Sequence, residues 1–325
     1  MRRSGKVFLN PYYLQIGSFI AINALLGLGV YVTLSTGQLS LGSAGFMGIG
    51  AYTSAILTAR YNYSIPVGVV FGALAAALSG VLIAIPSLRL RGVYLAIVTL
   101  GFGEILRVAF IRLENLTGGA IGFPGIPKLG GTILERLKAS SAGARIFSSM
   151  NGNALESLLV FAILLCITLM SAAFFALQAN SRVGRAFSSI EMDETAAESM
   201  GINVYYYKVL SFTQGAFVSG LAGALYGHVA SYVSPADFTY HRAVEILVYA
   251  ILGGAGQVMG PLVGASILTT LPEVLRFMSG YRHVLYGAII VLSMIYRPQG
   301  LIDSETSDWL RKVFRRKRFI DGGVK

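Results

Sequence analysis

The sequence predicts an all-α polytopic membrane protein, and three observations carry that reading. Hydrophobic residues make up 54% of the chain and charged residues only 13%, against about 25% charged in soluble domains. The mean hydropathy is +0.66. About eight apolar segments follow one another, at 12–33, 39–58, 66–86, 93–111, 154–177, 209–232, 243–271 and 284–296. Several reach the roughly 20 residues that a helix needs to span hydrocarbon. Lipid leaves only helices or closed barrels, because every backbone group must be satisfied internally. The short alternating segments of a barrel do not dominate. The chain reads as a single transmembrane domain over 1–325.

The first segment follows Arg2, Arg3 and Lys6. It is too long for the apolar core of a signal peptide and shows no small-residue cleavage site, so it reads as an uncleaved span. The net charge of +11 is spread over turns rather than gathered on a soluble domain. Arg89 and Arg91, Arg182 and Arg185, and the basic tail at 303–325 flank apolar runs, as cytoplasmic positives do. This argues against nucleic-acid binding and for contact of the tail with anionic membrane lipid. Cys166 is the sole cysteine, and His228, His241 and His283 have no metal-ligand spacing. No cofactor or metal is expected.

The second and seventh segments are punctuated by glycine. One carries GQLSLGSAGFMGIG at 37–50 and the other GGAGQVMGP at 253–261. Each interior glycine costs a helix about 1 kcal/mol and each proline about 3. Both segments are therefore expected to break, each entering and leaving on one face of the membrane. With that parity, the N-terminus, the Arg89/Arg91 turn, a polar insert at 180–208 and the C-terminal tail all become cytoplasmic, and the loop at 113–153 becomes external. A weak repeat of helix, broken element and helix, at 12–86 and 209–296 in one orientation, accompanies this. Broken segments point to the path of a transporter, which makes Gly37, Gln38, Ser40, Ser43, Gly45, Gly253, Gly254, Gly256 and Gln257 candidates for lining it. The same glycines also suit close helix packing.

The fourth segment carries Glu104 and Arg107 at a spacing that pairs them on one helix face. Glu245 stands early in the seventh. Charges at membrane depth are costly and should face protein or water; pairing, substrate contact and proton coupling remain open roles. The external loop, NLTGGAIGFPGIP at 115–127, is set by turn residues. It reads either as a connector or as a lip for a delivered substrate.

The insert is the chain's most distinctive element. A short helix is expected over 191–200, with Asp193 and Glu194 in its first turn, where the helix dipole favours negative charge, and Gly201 past its end. Ala196, Ala197 and Met200 form a small apolar face beside Glu191, Glu194 and Glu198. This is a knob for a groove on a soluble partner, or else an amphipathic helix on the headgroups.

Here a family resemblance enters. The insert resembles the cytoplasmic coupling loop of ATP-binding-cassette importer permeases, whose motif is Glu-Ala-Ala, three residues, then Gly. The chain has Thr195, Ala196, Ala197, Glu198, Ser199, Met200 and Gly201, with threonine in place of the motif's glutamate. GQLSLGSAGFMGIGAY at 37–52, LRLRGVYLAIVTLGFGEILR at 88–107, TGG at 117–119 with GFPGIP at 122–127, AAESMGIN at 196–203 and LGGAGQ at 252–257 resemble the LivM-type permease of branched-chain amino-acid uptake systems. The resemblance covers about residues 12–300. It implies a bacterial or archaeal inner-membrane importer with a LivH-like second permease, two cytoplasmic ATPases and a periplasmic or lipid-anchored substrate-binding protein. Relatives with the same signatures serve urea, amides or other amino acids. On this resemblance Arg185, Glu194, Thr195, Ala196, Ala197, Glu198, Met200 and Gly201 couple to the ATPase.

The chain has no phosphate-loop motif of its own, so no catalysis is expected from it. The alternative to a partner-driven permease is a secondary transporter using an ion gradient through Glu104 or Glu245. An intramembrane enzyme lacks a Ser/His or paired-Asp constellation.

Overall fold

A computed structural model describes residues 11–87, 90, 92–132, 152–278, 282–297 and 300–301. The basic N-terminus, Arg89 and Arg91, the 133–151 part of the external loop and the basic tail lie outside these residues. The described chain is a helical bundle with five helices long and apolar enough to cross a membrane.

Helix α1 runs over Pro11–Leu34. Proline at the first helical position has no N–H to lose and a preset φ, and no charge interrupts the 24-residue helix that it begins. A non-helical stretch leads to α2, Ser43–Ala55, which ends in a π turn over Ile56–Arg60. Helix α3 is Ile65–Ser87, and α4 is Val93–Arg112. After a short α5, Glu114–Thr117, strand β1 (Phe123–Pro124) pairs antiparallel with β2 (Tyr232–Val233). Helix α6 is Gly152–Ala179. The insert forms α7, Arg182–Met192, and α8, Glu194–Ser199. Helix α9 is Val204–Ala230, and α10 (Tyr240–Gly253), α11 (Met259–Val274) and α12 (Arg282–Tyr296) close the bundle.

Helix α9 is the axis, packed against α1, α2 and α3. Small residues make this possible. A side chain at Gly50 would overlap the Gly220 backbone, and one at Gly223 would overlap the Met47 backbone. Helices α2 and α9 thus touch backbone to backbone, which is how helices associate where no water drives them together. Around this seam Phe46 meets Phe212 edge to face, with centroids 5.7 Å apart. Ile22, Leu25, Leu26 and Leu28 of α1 are fully buried beside it.

The direction of each helix follows from its contacts. Gly37, just past α1, lies against Glu191 of the insert. At the other end of α1, Tyr12 bonds Glu273, and Gly17 packs on Phe161 near the start of α6. The first described turn of α1 and the insert therefore sit at opposite ends of the bundle. The expected side of the N-terminus concerns residues 1–10, which lie outside the described residues. The 39–58 segment was expected to fold back on itself. It crosses the bundle instead, from Gln38 beside Lys208 to Arg60, whose guanidinium donates to the Asn115 carbonyl at 2.9 Å. Its non-helical entrance is tolerated because protein side chains satisfy it: the Leu41 amide donates to Thr99 Oγ1 at 2.9 Å.

The second glycine-rich segment is broken between Gly253 and Met259. Helices α10 and α11 form a hairpin whose outer ends lie away from the insert, with Gly253 packed on Gly260 and Gly264 on Tyr249. The turn between them is fixed by Gly254 at φ 121°, a conformation open to glycine. After α12 the chain returns to that turn, where the Leu301 amide donates to the Leu252 carbonyl at 2.9 Å. The suggested repeat does not hold in one orientation. Helices α1 and α9 run antiparallel, Gly29 packing on Ser219 and Thr33 on Gly215, and one broken element crosses while the other turns back.

Candidate functional site

Two regions carry chemistry, one at each end of the bundle. The insert begins with Ser181, whose hydroxyl caps α7 by accepting from the Val183 and Gly184 amides at 3.1 and 3.4 Å. Gly184 has no room for a side chain, because one would overlap the carbonyls of Gln178 and Ala179. Ala186, Phe187 and Ile190 face inward and are buried, with the Phe187 ring edge-on to Tyr207 at 6.2 Å. Arg185 is exposed and reaches back to the Asn180 carbonyl at 3.3 Å.

The single helix expected over 191–200 is two helices meeting at Asp193. That residue is extended, with φ −158° and ψ 111°. Its carboxylate accepts from the Thr195 and Ala196 amides at 2.8 and 3.1 Å. A side chain this short competes well with the helix ladder for nearby amides, so Asp193 ends α7 and caps α8. Glu191 consequently belongs to α7. Gly201 closes α8 at φ 82° with open space around it, so the backbone angle rather than crowding calls for glycine there.

The expected apolar face divides. Ala197 is buried against the bundle, whereas Ala196 is exposed with Thr195 and Glu198. Met200 is 83% exposed and Met192 86%. The exposed apolar side chains here are Met192, Ala196 and Met200, drawn from both sides of the Asp193 break. Met192 lies inside the expected 191–200 helix, four residues before Ala196, and that i, i+4 spacing was the signal the sequence reading passed over.

Glu194 points inward to an ion pair with Lys208, which is 6% exposed. The Lys208 carbonyl accepts from Gln38 Nε2 at 3.1 Å, and the same amide donates to Thr36 Oγ1 at 2.8 Å and Ser211 Oγ at 2.9 Å. The insert is thereby tied, through one lysine, to the turn between α1 and α2. Gln38 is a fastener here. The other glycine and serine candidates of this segment are also engaged in packing or turns. Ser40 and Ser43 are buried, the Ser40 hydroxyl accepts from the Gly42 amide, and Gly45 meets Gly103 of α4. In the hairpin, Gly253 and Gly254 are buried, Gly256 is exposed and Gln257 is half-buried.

At the opposite end a cavity of about 890 Å³ opens between α1, α9 and the α10–α11 hairpin. None of the nine path candidates is among the described residues that line it, but Glu245 is. Glu245 is not a lone acid. Its carboxylate bonds Arg242 Nη1 at 2.7 Å and accepts from the Tyr249 hydroxyl at 2.7 Å. Arg242 Nη2 donates to Asn23 Oδ1 at 2.6 Å, and Asn23 Nδ2 donates to Thr269 Oγ1 at 2.9 Å. The i, i+3 spacing of Arg242 and Glu245 was the available signal for this pair. Glu104 and Arg107 pair as expected, at 2.7 Å. Glu104 also accepts from the Tyr240 amide at 3.1 Å, which anchors the start of α10 to α4.

The loop at 115–127 is built into this end. Strand β1 lies on β2, and His228 Nδ1 donates to the Pro127 carbonyl at 2.9 Å while its Nε2 meets the Ser54 hydroxyl at 2.9 Å. The loop residues up to Pro127 therefore close over the end of α9.

A family model described as the permease component of branched-chain amino acid transport systems matches residues 12–294. The chain is 36% identical over 295 residues to the high-affinity branched-chain amino acid transport system permease protein LivM of Escherichia coli K12, covering 89% of this chain and 69% of that protein. It is 25% identical over 308 residues to the ribose import permease protein RbsC of Haemophilus influenzae, covering 87% and 85%. Similarity to the permease LivH of Escherichia coli K12 is 29% over 125 residues, covering 38% and 40%. No solved structure matches the chain.

Proposed function

Because this chain belongs to the family of branched-chain amino acid transport permeases, we propose that it is the permease subunit of an ATP-driven importer of branched-chain amino acids. The machine includes a second, LivH-like permease, two cytoplasmic ATPases and an external binding protein, and it works in the inner membrane. The insert lies in the cytoplasm and the large cavity faces outward.

One observation supports this reading above the others. The exposed Met192, Ala196 and Met200 form a knob on a helix pair that is locked to the membrane domain through Glu194, Lys208 and Gln38. A partner that grips the knob moves the α1–α2 turn with it. Hydrolysis belongs to the partner, and the chain transmits displacement. An ion-driven carrier would need no such lever.

The test is reconstitution of the permease pair with its ATPases and binding protein in proteoliposomes. Uptake of radiolabelled leucine is expected to require ATP and to stop when hydrolysis is blocked. Uptake that continues without hydrolysis and collapses with an ion gradient would overturn the reading in favour of a secondary transporter.

A further inference from the structure

We propose that the outward cavity is a binding site for the free amino acid within the membrane domain, in which Arg242 takes the α-carboxylate and Asp237 with Glu245 takes the α-ammonium. The inference rests on the importer reading above and deepens it.

The charge pattern fits a zwitterion. Arg242 is the half-buried arginine of the cavity wall, and it spends Nη1 on Glu245 and Tyr249 and one Nη2–H on Asn23. A guanidinium has five N–H donors in a planar fork. The Nε–H and the second Nη2–H of Arg242 have no acceptor among the described residues, and that edge of the fork suits a carboxylate. Asn23 holds the guanidinium from the α1 side and is itself held by Thr269. The fork is thus fixed by three elements before any ligand arrives, which lowers the ordering cost of binding.

The acids stand around it. Glu245 shares its charge with Arg242. Asp237 accepts from the Ser234 amide at 2.9 Å and pairs with no cation among the described residues. Both line the cavity, so its wall carries an excess of negative charge beside the arginine. An α-ammonium answers that excess. A simple anion would leave the acids uncompensated, and a simple cation would leave the Arg242 donors unused.

The wall also carries Thr239, His241, Thr269 and Glu273, and it has an apolar part. Phe19 and Tyr226 stand with ring centroids 6.3 Å apart, and Met47 closes the floor. These groups receive a branched aliphatic side chain without asking it to make a hydrogen bond. The volume of about 890 Å³ lies at the upper end of the roughly 300–1,000 Å³ of ligand pockets, which leaves space for an amino acid with water around its charged groups.

The experiment uses the complete importer in nanodiscs and proteoliposomes. Saturable binding of radiolabelled leucine is measured on the assembled permease pair and ATPases without binding protein, with leucinamide and 4-methylpentanoate as competitors. Leucinamide lacks the carboxylate and 4-methylpentanoate lacks the ammonium, so each is expected to compete at least tenfold more weakly than leucine. The double variant Arg242→Gln with Glu245→Gln removes both charges of that ion pair together. It is expected to assemble normally and to lose leucine binding at least tenfold. Asn23→Ala, which only loosens the guanidinium, is expected to weaken binding less, and charge-neutral Thr269→Val less again. Leucine binding equal to wild type in the double variant, or equal competition by leucinamide, would overturn the site while ATP-driven uptake left the importer reading standing. Failure of the wild-type complex to take up leucine at all would overturn both.

Discussion

The Lys208 carbonyl accepts a hydrogen bond from the Gln38 side-chain amide at 3.1 Å, while the ammonium of the same lysine pairs with Glu194. One residue therefore joins the insert to the turn that opens α2. Its near-complete burial makes the joint stiff. A displaced α8 has to carry the Gln38 turn or break an ion pair that has little water to replace it.

Glu194→Gln should expose that dependence. Removing one partner of a largely buried pair leaves an uncompensated charge and costs on the order of 3–5 kcal/mol when burial is complete. Glu194 keeps 27% side-chain exposure, so a loss of about 1–3 kcal/mol is expected here. It should appear as a lower melting temperature of the purified permease and as reduced uptake per ATP hydrolysed. Unchanged coupling stoichiometry would remove the joint from the mechanism.

The knob separates into surface and core at adjacent alanines. Ala196→Arg and Met192→Asp alter exposed positions and should abolish co-purification of the ATPases while the permease elutes as a folded species. Ala197→Arg places a charge at a position that is 4% exposed and should unfold the insert locally, which protease sensitivity at α7–α8 reports. Normal ATPase capture by Ala196→Arg would refute the docking surface.

The glycine seam predicts a contrast of another kind. Gly50→Ala and Gly223→Ala would drive a methyl into the facing backbone, and helix backbones cannot rotate aside as side chains can. Overpacking of this sort costs typically 1–3 kcal/mol, occasionally more, and both variants should reduce melting temperature and yield. Gly256→Ala meets nothing within 4 Å and should be neutral in the same assays.

The course of α1 is testable by labelling. In a Cys166→Ala background, which removes the exposed native thiol, Tyr13→Cys and Ser188→Cys occupy exposed positions at opposite ends of the bundle. A membrane-impermeant maleimide added to intact cells should label Tyr13→Cys and spare Ser188→Cys, and inverted vesicles should reverse the pattern. Labelling of both from one side would contradict the helix directions.

The sequence alone determined the class of this protein, the glycine-rich positions beside which two of its segments lose their helix, and the glycine that closes the insert's last helix, but not the break and cap at Asp193. Composition, segment length and turn residues are local properties, and Gly201, the Glu104–Arg107 pair and the broken 253–261 segment were legible for that reason. Local chemistry did not reveal what each break is for. The 37–50 glycines could mark a fold-back or a close approach, and only the nearness of Gly50 to Gly220 and of Gln38 to Lys208 selected a crossing. The same holds for Arg242, whose meeting with Asn23 spans 219 residues of chain. Burial, pairing and the end of the bundle at which a residue sits are set by contacts between distant segments. Tertiary packing decided them, because a polar group at membrane depth is stable only where another segment supplies its partner.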